Sequence, residues 1–302
     1  MQPNGIISAI ITPFSSDGES VNESELRAIV ESGITSGLGG IVPCGGTGEF
    51  ATMSPDERRR VVEIVVEQAG KRTSVMAQIG ANSTREAVAH AKHAAKVGAD
   101  AIMLATPYYE SIDFDGVRRY FHDVAAASDL PICIYNFPPA MGIRYDADRV
   151  RTLVGEIPSI KFMKDSSGDF ALLDSLINSG TGVQLFAGED VLAFPAFLQG
   201  CAGVINGAAN FLTPAFVKML DASNDGQYED VMTTWRKINP LISEVIGGHY
   251  NGGVKAAVAA LGFDVGPIRA PYNSLSQEKT ERIQAIVKSM DPALLNTPKT
   301  AR

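Results

Sequence analysis

The stretch SIKFMKDSSGD, residues 159–169, decides how the chain is read. A short, mostly apolar run, Ser159 to Met163, stops at Lys164, and a loop-like Ser166–Ser167–Gly168 follows at once. The run is too short for a helix and lacks strict alternation, which suits a strand covered on both faces, as in a parallel sheet. An ammonium at the end of such a strand is costly unless it is paired, neutralised or used. Two questions follow: which sheet holds the strand, and what Lys164 is for.

The same grammar recurs on both sides of this stretch. IISAII at 6–11, GIVPC at 40–44, SVMAQI at 74–79, AIMLA at 101–105 and PICIY at 131–135 precede it; VQLFA at 183–187 and AGVIN at 202–206 follow. Helical patterns lie between them. Asn22 caps NESELRAIVESGI, with Glu25 three residues on and Leu26, Ile29, Val30 and Ile34 on one face. Ser54, Pro55 and Glu57 open the next helix, Ser83 and Glu86 a third, and Thr213–Pro214 a later one. Gly70, Gly98 and Gly200 stand where helices need a left-handed stop. Eight strands alternating with helices predict a (β/α)8 TIM barrel over residues 1–225. A doubly wound open sheet is the competing reading, weakened because no GxGxxG follows the first strand. Beyond it, QYEDVMTTWRKINPLISEVIG, GGVKAAVAALG and SQEKTERIQAIVKSM predict a C-terminal helical domain over residues 226–302, its last ten residues frayed.

Bulk properties exclude several classes. The chain has 302 residues, 45% hydrophobic and 20% charged, with a formal net charge of −8 and no basic patch, so no nucleic-acid partner is expected. Arg58–Arg59–Arg60, beside Asp56 and Glu57, reads as a solvated helix face, and His90 and His93 as solvated helix residues without metal spacing. No metal and no cofactor is expected. No apolar run approaches the ~20 residues of a membrane span, and the N-terminus lacks the pattern of a signal peptide. Cys44, Cys133 and Cys201 are few, odd in number and set in apolar runs, which fits reduced thiols and a cytoplasmic location.

In such a barrel the carboxyl ends of the strands meet in one pocket. Four ends carry chemistry: PCGGTGEF at 43–50, TPYYE at 106–110, IYNFPPAMG at 134–142, and Lys164. Lys164 is open to two readings, a lysine paired with Asp165 or another carboxylate, and a Schiff-base nucleophile. For the second, an apolar interior lowers the pKa from about 10.4 and frees a neutral amine to attack a carbonyl. GGTGEF exposes backbone N–H groups that can bind a carboxylate or phosphate, and Thr47 adds a hydroxyl; without GK[ST] it is not a P-loop. Glu49 supports the loop in this reading. Tyr135 is either a proton shuttle or a packed core phenol.

GGTGEF, TPYY, YNFPP and a strand-six lysine, in that order and spacing, resemble the dihydrodipicolinate synthase / N-acetylneuraminate lyase family over nearly the whole chain, from ITPF at 11–14 onward. The resemblance implies a barrel with a helical C-terminal domain, a homotetramer (dimer of dimers), and lyase chemistry on pyruvate-type 2-oxo acids through a lysine imine. It places Lys164 as the imine lysine and Tyr135 as the phenol that shuttles protons. Gly46 and Thr47 match the pair that holds the 2-oxo acid carboxylate, and Tyr109 the tyrosine lent across a subunit interface. Gly188 and Ile205 match positions lining the pocket. Two departures bear on substrate: Ala140 stands where synthases carry an arginine, and Gly46 where they carry the first of two threonines. Both favour a 2-keto-3-deoxy sugar acid aldolase or dehydratase over 4-hydroxy-tetrahydrodipicolinate synthase, the alternative, in which Arg144 would replace the missing arginine. A third reading is a non-catalytic barrel that binds a 2-oxo or sugar acid.

Overall fold

The computed structural model describes residues 1–299. Its eight strands are β1 (Gly5–Ala9), β2 (Gly40–Val42), β3 (Ser74–Gln78), β4 (Ala101–Leu104), β5 (Ile132–Asn136), β6 (Ile160–Asp165), β7 (Gln184–Ala187) and β8 (Gly203–Asn206). They pair in sequence order, all parallel, and β8 closes on β1. The open sheet is thereby excluded. The helices are α1 (Glu23–Thr35), α2 (Pro55–Ala69), α3 (Thr84–Val97), α4 (Phe114–Ala125), α5 (Pro138–Met141), α6 (Ala147–Glu156), α7 (Phe170–Asn178), α8 (Ala193–Leu198) and α9 (Ala209–Asn224), followed by α10 (Tyr228–Ile246), α11 (Tyr250–Ala260) and α12 (Gln277–Ser289). None of these helices is long and apolar enough to cross a membrane.

The strands read as unbroken apolar runs because both faces are covered. One face fills the barrel with Ile7, Val42, Met76, Ala101, Met103, Cys133, Phe162, Phe186 and Ile205, at least one residue from every strand. The other face packs on the helices. Side chains alternate along a strand, so the residue two places beyond each interior plug also points inward, one layer nearer the mouth. Two beyond Phe162 is Lys164, two beyond Cys133 is Tyr135, and two beyond Phe186 is Gly188.

The helix signals operate as local chemistry requires. Asn22 and Ser83 accept from the N–H groups of Glu25 and Glu86, and Ser54 and Glu57 form a reciprocal box. Gly70, Gly98 and Gly200 take φ of +53°, +89° and +81°. Other expectations need correction. Arg58 is buried, donating to Gln78 and to the carbonyl of Gly80, because its side of α2 faces β3. His90 is buried as well, near Glu86, and burial lowers its pKa to about 4. Thr213–Pro214 does open a helical segment, the second part of α9, which is joined to the first across a kink at the non-helical Leu212. The C-terminal segment is anchored through Lys299: Asn296 is buried and bonds to Phe211 and Thr213, and Lys299 pairs with Glu25. Residues 300–302 of the stretch expected to fray lie outside the described residues. The three cysteines are buried and unpaired.

The position expected to divide barrel from helices, residue 225, falls in the short connection between α9 and α10. α9 packs on β1 and β8 and also on α10 and α11. The last helices therefore continue the wall of the barrel, and α11 is carried to the carboxyl ends of the strands.

Candidate active site

Lys164 is the penultimate residue of β6, opposite Tyr135 on β5 and Phe186 on β7. Its side chain is 6% exposed, and its Nζ lies 4.3 Å from the centre of the Tyr135 ring. Among the described residues it has no carboxylate partner. Asp165, its neighbour in sequence, points the other way, accepting from Asn136 Nδ2 at 2.5 Å and Ser167 Oγ at 2.9 Å. Burial raises the Asp165 carboxyl, and those two bonds oppose the rise. The paired reading of Lys164 therefore fails for Asp165: alternation sends the two side chains to opposite faces of one strand.

A cavity of about 690 Å³ opens above the barrel plug and is walled by Lys164, Tyr135, Gly46, Thr47 and Gly188. Five of the seven anticipated site residues thus share one space. Phe137 stacks on Tyr135, their rings 5.9 Å apart and 15° from parallel, and forms part of the same wall. Gly188 must lack a side chain, since a Cβ there would collide with Lys164 and Ser166. Its N–H donates to the Asp165 carbonyl at 2.7 Å, tying the end of β7 to β6.

The two other anticipated residues lie elsewhere. Ile205 is fully buried in the barrel plug, and Gly207, two places on, stands on the cavity wall. Tyr109 is 86% exposed and faces a separate surface cleft with Asn82, Pro107 and Arg119. Asn82 Oδ1 holds its loop by accepting from the N–H groups of Tyr108 and Tyr109. Ala140 on α5 is exposed and outside the cavity wall. Arg144 bonds to Asp169 at 2.8 Å, half exposed to solvent, and does not reach the cavity.

The Gly-rich loop is held from several directions. Thr12 Oγ1, from the ITPF segment, donates to the Gly48 carbonyl at 2.8 Å. Glu49 adopts φ +59° and is buried, pairing with Lys255 of α11 at 2.7 Å and accepting from the Arg269 N–H at 2.9 Å. Among the described residues the N–H groups of Gly46 and Thr47, both on the cavity wall, make no hydrogen bond, so two donors stay available for an anion.

Four contributors were not anticipated from the sequence. Asn251 Nδ2 donates to the Gly46 carbonyl at 2.9 Å. Tyr250 donates to Asp190 at 2.7 Å and accepts from the Gly207 N–H at 3.1 Å. Burial raises Asp190; the bonds from Tyr250 and Ala208 work against it. Burial, reinforced by Asp190, raises Tyr250 well above an ordinary phenol. Glu189 lines the cavity beside them. The GED triplet at 188–190 was the one local hint, an acidic pair directly after an apolar strand.

Comparison with known proteins bears on this arrangement. Residues 2–290 match the model of the dihydrodipicolinate synthetase family. The chain belongs to that family. It is 36% identical over 288 residues to the 4-hydroxy-tetrahydrodipicolinate synthase of Methanothrix thermoacetophila, covering 95% of this chain and 96% of the relative. Five further relatives, 30% to 35% identical, bear the same name. Among solved structures, the chloride-inhibited dihydrodipicolinate synthase of Acinetobacter baumannii complexed with pyruvate superposes with a TM-score of 0.89 at 33% identity, over 95% of this chain and 98% of that one. CdNal of Clostridium difficile in complex with mannosamine gives 0.90 at 27%, over 96% and 100%. Family membership makes the chain an enzyme, a lyase working through a lysine imine on a small 2-oxo acid, and sets aside the non-catalytic barrel.

Proposed function

We propose that Lys164 is the imine-forming lysine of a lyase acting on pyruvate or a pyruvate-yielding 2-oxo acid. The observation that carries this is a buried amine without a carboxylate partner, opening into one cavity with a phenol and a loop of free N–H groups. In this reading the N–H groups at Gly46 and Thr47, with the Thr47 hydroxyl, hold the carboxylate and aim the carbonyl carbon at Lys164. The amine adds, water leaves, and the resulting iminium withdraws electrons from the adjacent carbon. That carbon then loses a proton or a C–C bond, and Tyr135 carries protons to and from the intermediate. The assembly is proposed to be a homotetramer in which Tyr109 crosses an interface.

For the second substrate two readings compete. The names of the similar proteins weigh toward 4-hydroxy-tetrahydrodipicolinate synthase, joining pyruvate to aspartate semialdehyde. Ala140 outside the cavity and Arg144 engaged with Asp169 leave that reaction without the arginine expected for it, which supports cleavage or dehydration of a 2-keto-3-deoxy sugar acid. Borohydride reduction in the presence of pyruvate is expected to fix an adduct on Lys164, and Lys164→Ala to abolish it while the circular dichroism stays native. An unlabelled Lys164 in protein that binds pyruvate would refute the assignment. Side-by-side rates with aspartate semialdehyde and with 2-keto-3-deoxy acids decide between the two substrates.

A further inference from the structure

The Gly46–Thr47 peptide has little of its own to hold it. Gly46 carries no side chain, and a Cβ built there would meet nothing within 4 Å, so packing does not limit its rotation. Its carbonyl is nevertheless tied twice. The Glu49 N–H donates to it at 3.0 Å within the turn, and Asn251 Nδ2 donates at 2.9 Å from α11, 205 positions along the chain. Among the described residues no other side chain bonds to this peptide. Four residues beyond Asn251, on the same face of α11, Lys255 pairs with Glu49 at 2.7 Å. One helix face thus grips the Gly-rich loop at both ends.

Resting on the proposed carboxylate site at Gly46 and Thr47, we infer that Asn251 is a positioning residue that aims the Thr47 N–H at the substrate carboxylate. A trans peptide is planar, and its C=O and N–H point opposite ways. A bond that fixes the Gly46 carbonyl therefore fixes the direction of the Thr47 N–H. The bond from the Glu49 N–H comes from inside the loop and moves with it. The bond from Asn251 comes from a helix packed on α9, α10 and α12, which supplies an outside reference. The Thr47 N–H itself makes no hydrogen bond among the described residues, and Gly46, Thr47 and Asn251 all stand on the cavity wall. Without Asn251 the peptide can swing about Gly46, and a hydrogen bond weakens steeply as its donor leaves the line to the acceptor. The effect falls on the grip on the anion, because Asn251 bonds to neither Lys164 nor Tyr135.

The test measures the second-order rate of reductive trapping by cyanoborohydride, followed by mass, with pyruvate and with its uncharged methyl ester. Each rate is divided by that of α-N-acetyllysine with the same compound, which removes the intrinsic difference between the two carbonyls. The wild type is compared with Asn251→Leu, which keeps the volume and removes the donor. A hydrogen bond to an ionised acceptor is about twice as strong as one to a neutral acceptor. Asn251→Leu is expected to slow trapping of pyruvate about tenfold. Methyl pyruvate is expected to slow by about threefold at most, with the unfolding midpoint little changed. A pyruvate rate unmoved in Asn251→Leu overturns the inference. So does an equal fall with both compounds, since the disturbance would then reach the lysine rather than the anion site. If the wild type traps the ester as readily as pyruvate, the loop does not hold the carboxylate, and that reading falls with this inference while the imine stands. A wild type trapped by neither compound refutes the imine reading and this inference together.

Discussion

A Cβ built on Gly188 would stand 2.8 Å from Lys164 Cε and 2.0 Å from Ser166 Oγ. Gly188→Ala is therefore expected to displace the lysine and lower kcat by about tenfold to a hundredfold, with the unfolding midpoint little changed. Single-turnover imine formation checks this. At Glu189, burial lifts the carboxyl above its ordinary 4.5, Lys164 opposes the lift, and Asp190 and Asp165 add to it. At this scale the shared wall of Lys164, Tyr135, Gly46 and Thr47 was legible, Lys164 and Tyr135 as polar residues at the ends of apolar runs, Thr47 within a Gly-rich turn, and Gly46 through the family resemblance. Asp190 and Gly46 could not be matched with Tyr250 and Asn251, which lie 60 and 205 positions away in the chain.

Among the elements, α2 shows both what local sequence encodes and what it hides. Its start is written within four residues: Ser54 accepts from the Glu57 N–H at 3.2 Å, and Glu57 returns the bond to the Ser54 N–H at 2.8 Å. Ser54→Ala should cost about 1 kcal/mol, read as a lower urea midpoint at constant slope. Arg58, one turn further, reads as solvated by its company of charges, yet it lies under β3 and donates to the Gln78 side chain at 2.9 Å. A charged residue on the inner face of a helix is revealed only by the acceptors a neighbouring strand brings to it. The same holds for His90, whose burial depends on how α3 packs.

For the molecule as a whole, the C-terminal helices hold the Gly-rich loop. Lys255 reaches Glu49 at 2.7 Å, its Nζ 4.5 Å from the centre of the Phe14 ring. Burial lowers the Lys255 pKa and the Glu49 partner opposes that fall. Lys255→Met leaves the buried Glu49 carboxylate without a counter-charge, held only by the Arg269 N–H, and is expected to cost about 3–5 kcal/mol, while Lys255→Met with Glu49→Gln recovers part of it. Thermal unfolding of the three proteins measures the difference. The proposed assembly makes its own prediction: light scattering should give four times the 32.1 kDa of one chain. Mixing inactive Lys164→Ala with Tyr109→Phe should restore activity, because hybrid interfaces pair an intact lysine with an intact tyrosine. No recovery after subunit exchange would place Tyr109 outside its neighbour's site.

Caps, left-handed stops and two-sided apolar runs are settled within a few residues by hydrogen bonds and burial, and eight such runs in βα alternation specified a parallel sheet and favoured its closure into a barrel over the open alternative. The motifs at the strand ends were readable through their resemblance to a known family, because each is a short contiguous run of residues. What α11 does at the mouth was decided only in three dimensions. Its contacts with Gly46, Glu49 and Asp190 join distant segments through single polar side chains, and such pairs impose no periodicity on either partner. They exist because closing the barrel brings α9, and with it the helices that follow, back against β1 and over the carboxyl ends of the strands.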